Sequence, residues 1–202
     1  MNGKTLMLIT FTATLAMMLC ACGPQKSEAK VEIGTPAPAF TLQNYDGTTV
    51  SLSDYTGKIV VLEWFNYECP FVRYHYEKAD TMTSLADKYK DKNVVWLAIN
   101  STAHLTTEKN KQFAEEHNIT APILDDRTGK TGRAYGAKTT PHMFIIDTNG
   151  KIAYAGAIDN SPLGRTKDVV NYVDKALSEL TTGKTVSTPI TQPYGCSVKY
   201  AE

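Results

Sequence analysis

One short run limits the folds open to this chain more than any other feature. Residues 58–65 read Lys-Ile-Val-Val-Leu-Glu-Trp-Phe, nearly continuous apolar and β-branched side chains. A strand with one wet face alternates polar and apolar residues, so this run fits a strand covered on both faces. It leads into Asn66-Tyr67-Glu68-Cys69-Pro70, and proline suits the first position of a helix. Phe71, Tyr74, His75, Met82, Leu85 and Tyr89 then recur at helical spacing, which predicts one helix from Pro70 to about Asp91. Asn93 to Asn100 repeats the buried-strand pattern, and Thr107 to His117 is an amphipathic helix capped by Thr106 or Thr107. A short strand at Ala121–Leu124 and a short helix at Gly129–Tyr135, closed by Gly136, come next. His142–Asp147 and Lys151–Ala157 pair across the Asn149-Gly150 turn, Lys167–Leu180 is the last helix, and Thr181–Glu202 reads as a loop-like tail. Before all of these, Val31–Asp46 and Val50–Leu52 supply short extended pieces. Strands alternating with helices in this way predict an α/β fold, one central sheet with helices on both faces.

The first residues read as an address rather than as structure. Lys4 is followed by an apolar stretch, Leu6 to Leu19, too short and too Thr-interrupted to span a membrane. It ends in Leu19-Cys20-Ala21-Cys22-Gly23, where Leu19 and Ala21 meet the demands of lipoprotein processing before Cys22. Residues 1–21 are therefore expected to be a signal peptide, Cys22 the lipidated residue, 22–30 a polar tether and 31–202 the domain. The expected location is the cell envelope, lipid-anchored and facing the periplasm or exterior, with the outer membrane favoured by Gly23. Lys+Arg and Asp+Glu both number 21, so no basic excess is available to neutralise phosphates, and a nucleic-acid partner is not expected. Only Cys69 and Cys196 lie beyond the leader, too few for a disulfide scaffold.

Cys69 at a strand–helix junction is the candidate nucleophile. Free amide hydrogens and the positive end of the helix dipole favour a thiolate there. Arg73, one turn on, is expected to add positive charge near the sulfur, because helical side chains lean toward the N-terminus, while Glu68 opposes it. Glu63 sits in the middle of the apolar strand, where a charge is costly unless paired or protonated. It reads either as a proton carrier for the thiol or as a carboxyl reaching the sheet edge. Thr140-Pro141 opens a strand with a residue that lacks an amide hydrogen, which fits either a cis bond at the mouth of a site or an ordinary strand start.

With these pieces assembled, the chain resembles the redoxin, peroxiredoxin-like branch of the thioredoxin superfamily in a lipoprotein form. The residues that carry the likeness are 63–72, 96–101, 134–137 with 140–142, Ile158-Asp159, and Gly195-Cys196-Ser197-Val198-Lys199. The resemblance implies a thioredoxin-like fold with a mixed central sheet. It implies that Pro141 is cis beside the reactive cysteine and that Glu63 is a buried proton carrier. It also implies that Thr140, Pro141 and the neighbouring backbone dock an extended substrate chain, with Asn66 and Tyr67 at the same site. Two departures stand out. Val72 occupies the place of the second cysteine of a Cys-x-x-Cys pair, and Asn66 and Leu62 replace the hydroxyl residue and the proline that precede a peroxidatic cysteine.

Cys196 is then the one possible thiol partner in the domain, as a resolving cysteine, as a permanent clamp on the tail, or as a thiol that never meets Cys69. The expected function is a membrane-anchored, extracytoplasmic thiol oxidoreductase. It would act on a peroxide or on protein disulfides through Cys69, with Cys196 resolving and a thioredoxin-like protein as reductant, and needs no cofactor or metal. Two alternatives carry other chemistry: a copper- or zinc-binding module using Cys69, His75, His142 and Cys196, or a redox-inactive binding domain on the same fold.

Overall fold

The computed structural model describes residues 31–201. Cys22 and the expected signal peptide and tether lie outside them. Nine strands and five helices follow in chain order: β1 (Thr41–Asn44), β2 (Thr49–Ser51), β3 (Ile59–Trp64), α1 (Pro70–Glu77), α2 (Thr81–Tyr89), β4 (Val94–Asn100), α3 (Thr107–Glu116), β5 (Ile123–Asp125), α4 (Lys130–Tyr135), β6 (Thr139–Thr140), β7 (Met143–Ile146), β8 (Ile152–Gly156), α5 (Tyr172–Thr181) and β9 (Cys196–Ser197). Seven strands form one sheet in the order β2-β1-β5-β4-β3-β7-β8. The pairs β3–β4 and β4–β5 are parallel, while β3–β7, β7–β8, β1–β5 and β1–β2 are antiparallel. This is the mixed sheet of a thioredoxin-like fold.

The predicted double-sided strand is the centre of it, since all six residues of β3 are buried. Its side chains alternate between two apolar layers, as strand geometry requires. Ile59 and Val61 pack with α1, α2, α3 and α5 through Val72, Tyr76, Leu85, Phe113 and Leu177. Val60, Leu62 and Trp64 pack on the opposite face with Tyr135 of α4 and with Phe40 and Val50 from the N-terminal segment. The parallel pairing of β3 with β4 aligns the ends of both strands, so the loops after Trp64 and Asn100 emerge side by side. Cys69 sits on the first of these loops, just before α1.

The structure departs from the sequence expectation in three places. The helix predicted from Pro70 to Asp91 is two helices. Asp80 adopts a left-handed backbone (φ 46°), tolerable for aspartate, and its carboxylate accepts from Thr83 Oγ1 and, at 2.9 Å, from Ser84 Oγ at the start of α2. The last helix begins at Tyr172 rather than Lys167. The Asn160 side chain holds the Asp168 carbonyl and the Val170 amide, and Asn171 caps the helix by accepting from Asp174 N at 2.8 Å. The tail, read as a loop, contributes β9, which pairs antiparallel with β6.

Candidate active site

The turn between β3 and α1 is built by Asn66. Its carbonyl accepts from the Cys69 amide (3.0 Å) and its side-chain oxygen from the Glu68 amide (2.7 Å), which places Cys69 at the N-cap of α1 with Pro70 following. The Cys69 carbonyl starts the helix by accepting from Arg73 N at 2.9 Å. Its side chain, 2% exposed, points away from the helix and donates its thiol hydrogen to the Thr140 carbonyl, sulfur to oxygen 2.9 Å. The Thr140–Pro141 bond is cis. Just beyond it the His142 carbonyl accepts from Trp64 N at 2.9 Å, which fastens this loop to the end of β3.

The tail brings the second sulfur to the same spot. In β9, Cys196 stands opposite Thr140, the residue whose carbonyl faces Cys69, and Ser197 stands opposite Thr139. Gly195 crosses directly over that carbonyl with φ +127°, and a Cβ there would run into it. Both cysteines are free thiols and they lie beside each other. Burial, then the neighbouring Cys69, pushes the Cys196 thiol up to about 11, with Lys199 pulling weakly the other way. Cys196 therefore stays protonated near neutral pH. Val72 on the helix left a gap in the dithiol, and the tail fills it from outside.

Glu63 does not reach the sheet edge. It is wholly buried on the α1 side of β3, and one carboxyl oxygen accepts from Tyr76 Oη (2.8 Å) and Trp96 Nε1 (3.1 Å). The other oxygen is buried with no partner. Burial raises its pKa to about 7 against the opposing pull of those two donors. A carboxyl that is half protonated near neutrality can both give and accept a proton. Tyr76 went unnoticed in the sequence. It lies two helical turns after Cys69, on the same face of α1, and that spacing was the available signal.

Other expected residues separate here. The structure pairs the Arg73 guanidinium with Glu77 at 2.5 Å, not with the sulfur. A carboxylate at i+4 on the same exposed face is the nearer partner for a long, flexible cation, so the thiolate-stabilising role expected for Arg73 is corrected. Asn66 is the turn residue already described. Tyr67 packs its ring against Phe113 and its buried hydroxyl has no partner. The backbone of Thr139 and Thr140, expected to receive a substrate chain, is occupied by the protein's own β9.

The residues weighed for metal binding are otherwise engaged. His75 is buried between Thr81 Oγ1 (3.1 Å) and Tyr194 Oη (2.9 Å), and burial lowers its pKa. His142 accepts from Lys138 N at 3.3 Å, stacks on Phe144, and is lowered to about 4 by burial and by Lys138. Among the described residues no group of three or more His, Cys, Asp or Glu side chains is arranged to hold a metal ion. At the exposed lip, His104 Nε2 lies 3.0 Å from the carboxylate of Glu68, a pair the sequence did not suggest.

Residues 33–155 match the AhpC/TSA family. A thiol-disulfide oxidoreductase ResA from Geobacillus kaustophilus is 34% identical over 153 residues, 72% of this chain and 84% of that protein. Among solved structures, a hypothetical protein of Sinorhizobium meliloti superposes with a TM-score of 0.78 at 25% identity, covering 85% of this chain and 96% of that one. A protein from Chlorobium tepidum described as a putative thiol:disulfide interchange protein DsbE superposes at 0.56 with 32% identity, over 62% of this chain and 85% of that one.

Proposed function

The chain belongs to the AhpC/TSA family and is a thiol-dependent oxidoreductase, and on that premise we propose that it works with two cysteines drawn from opposite ends of the domain. Cys69 is the first nucleophile. With a peroxide, its sulfur attacks the nearer oxygen, the O–O bond breaks, an alcohol or water leaves, and Cys69 becomes a sulfenic acid. With a disulfide it forms a mixed disulfide and releases a thiol. In either case Cys196 then attacks the Cys69 sulfur, expels water or the second thiol, and closes the Cys69–Cys196 bond. A thioredoxin-like dithiol returns the two electrons. Glu63 takes and returns the proton that each thiol loses.

The observation that carries this reading is the pairing of Cys196 with Thr140, which sets the second thiol beside the first. The raised pKa of Cys196 supports the order of events, since that thiol stays protonated while Cys69 reacts. The seating of β9 on β6 supports a small oxidant over an extended polypeptide, which would need that same backbone edge. The protein is anchored in the cell envelope through Cys22, a reading that rests on Leu19, Ala21 and the short apolar leader. A Cys22→Ser change is expected to move the protein from the membrane to the soluble fraction of a bacterial host.

The test is direct. The reduced full chain is exposed to hydrogen peroxide or to an oxidised dithiol, free thiols are alkylated, and both cysteines are mapped by mass spectrometry. A Cys69–Cys196 disulfide, reversed by a thioredoxin-like donor, is the expected product. In Cys196→Ser the peroxide arm should leave a Cys69 sulfenic acid that a dione reagent traps. Two free thiols after both oxidants would overturn the reading.

A further inference from the structure

The tail reaches the site through Tyr194, two residues before Cys196. Its hydroxyl donates to Asp159 Oδ1 at 2.6 Å and lies 2.9 Å from His75 Nε2. Because the hydroxyl hydrogen goes to Asp159, the Tyr194 oxygen accepts from Nε2–H of His75, and Nδ1 of His75 accepts from Thr81 Oγ1. A neutral imidazole satisfies every one of these bonds. The Tyr194 ring packs on Phe71, with centroids 5.9 Å apart. Asp159 is itself fixed, since the same oxygen accepts from Ser161 N at 2.8 Å.

His75 belongs to α1, the helix whose N-cap is Cys69. Tyr194 is thus tied to the body that carries the nucleophile, and Gly195 and Cys196 follow from that fixed point onto Thr140. Beyond Cys196 the tail is tied again. Val198 N donates to the Lys138 carbonyl (3.1 Å), Ala103 N to the Lys199 carbonyl (2.9 Å), and Tyr200 Oη to the Ala137 carbonyl (2.8 Å). Ahead of Tyr194 the tail is fastened to β8, where Ala155 N donates to the Pro189 carbonyl (3.0 Å), Thr191 N to the Ala155 carbonyl (3.2 Å) and Ala157 N to Thr191 Oγ1 (2.9 Å), so Tyr194 holds the short span between Thr191 and Cys196.

We propose that Tyr194 is a positioning residue for the second step, a latch held by His75 and Asp159 that keeps the Cys196 strand seated against Cys69. A tethered group loses reactivity as the volume it samples grows, so releasing the latch slows closure without touching either sulfur. The inference rests on the reading of Cys196 as the resolving thiol.

The step can be watched with dithio-bis-nitrobenzoate and the reduced full chain. One thiolate attacks the reagent's S–S bond and releases one coloured thionitrobenzoate. The second thiolate attacks the mixed disulfide, forms Cys69–Cys196 and releases the other, so the dithiol gives two electrons to the reagent and two protons to solvent. The readout is the rate of the second release relative to the first. Tyr194→Phe, which keeps the ring against Phe71 and loses both hydrogen bonds, should slow it by about tenfold. Asp159→Asn keeps an acceptor oxygen and should stay nearer to wild type than Asp159→Ala. Urea midpoints are measured alongside, because a purely structural role would lower the midpoint and leave the second release at its wild-type rate. That last result would overturn the latch. A wild-type protein that releases only one equivalent would instead overturn the resolving role, and the latch with it.

Discussion

Replacing Glu63 by glutamine should change the pH profile of stability more than stability itself. In the folded chain the carboxyl is wholly buried and its pKa is raised from an ordinary 4.5 to about 7. Between these values the folded chain holds a proton that the unfolded chain has released, so stability falls as pH rises through the window and stays low above it. At 1.36 kcal/mol per pH unit the full loss is about 3 kcal/mol, most of it between pH 5 and pH 9. In Glu63→Gln the amide oxygen can accept from Tyr76 and Trp96, and the NH2 takes the place of the oxygen that already lacks a partner. Near pH 5 the two proteins should agree to within about 1 kcal/mol, and near pH 9 the variant should have gained about 2–3 kcal/mol on the wild type. The assay is urea unfolding at several pH values in a Cys69→Ser, Cys196→Ser background, so that no thiol titrates. Two parallel profiles would refute the reasoning, because they would mean that the carboxyl is not held protonated by burial. In the two-cysteine protein, the same substitution should slow turnover near neutral pH if Glu63 moves the proton.

Three further outcomes are expected. Alkylation of Cys196 in the reduced protein should climb with pH with a midpoint near 11; in Cys69→Ala the midpoint should shift to lower pH, whereas a midpoint at an ordinary thiol value in the wild type would contradict the burial argument. Gly195→Ala forces a side chain onto the Thr140 carbonyl and into an unfavourable φ. The segment after Thr191 should lift, with protease cleavage there about tenfold faster, and an unchanged digest would count against the seating of β9. Trp64→Phe removes the indole donor to Ser101 Oγ (3.0 Å), which itself donates to Asp126, whose carboxylate accepts from the Thr131 and Gly132 amides in the first turn of α4, and leaves space beside Tyr135. A loss of about 2–4 kcal/mol is expected in urea unfolding, and a loss below about 1 kcal/mol would mean the pocket collapses around the smaller ring.

The fold was legible because its information is local and periodic. A run of β-branched residues, the Cys69-Pro70 junction and the Asn149-Gly150 turn each state a backbone conformation within a few positions. The split between α1 and α2 was not legible, since the apolar spacing continues across Asp80 and only a single left-handed residue breaks it. For the site, Cys69 and Glu63 stood out as residues of the wrong kind for their strand and junction. Their partners did not. Tyr76, Trp96 and Tyr194 become neighbours of the site only when the sheet and tail are in place.

By itself the sequence determined the strand–Cys69–helix junction and the α/β architecture, because each follows from residue type and spacing along one element. Whether Cys196 meets Cys69, where Arg73 directs its charge and which edge the tail covers were decided by tertiary structure alone. The reason is physical. A two-residue strand carries no periodic signal, and a long side chain chooses among partners that lie within a few ångströms only after packing has fixed the distances.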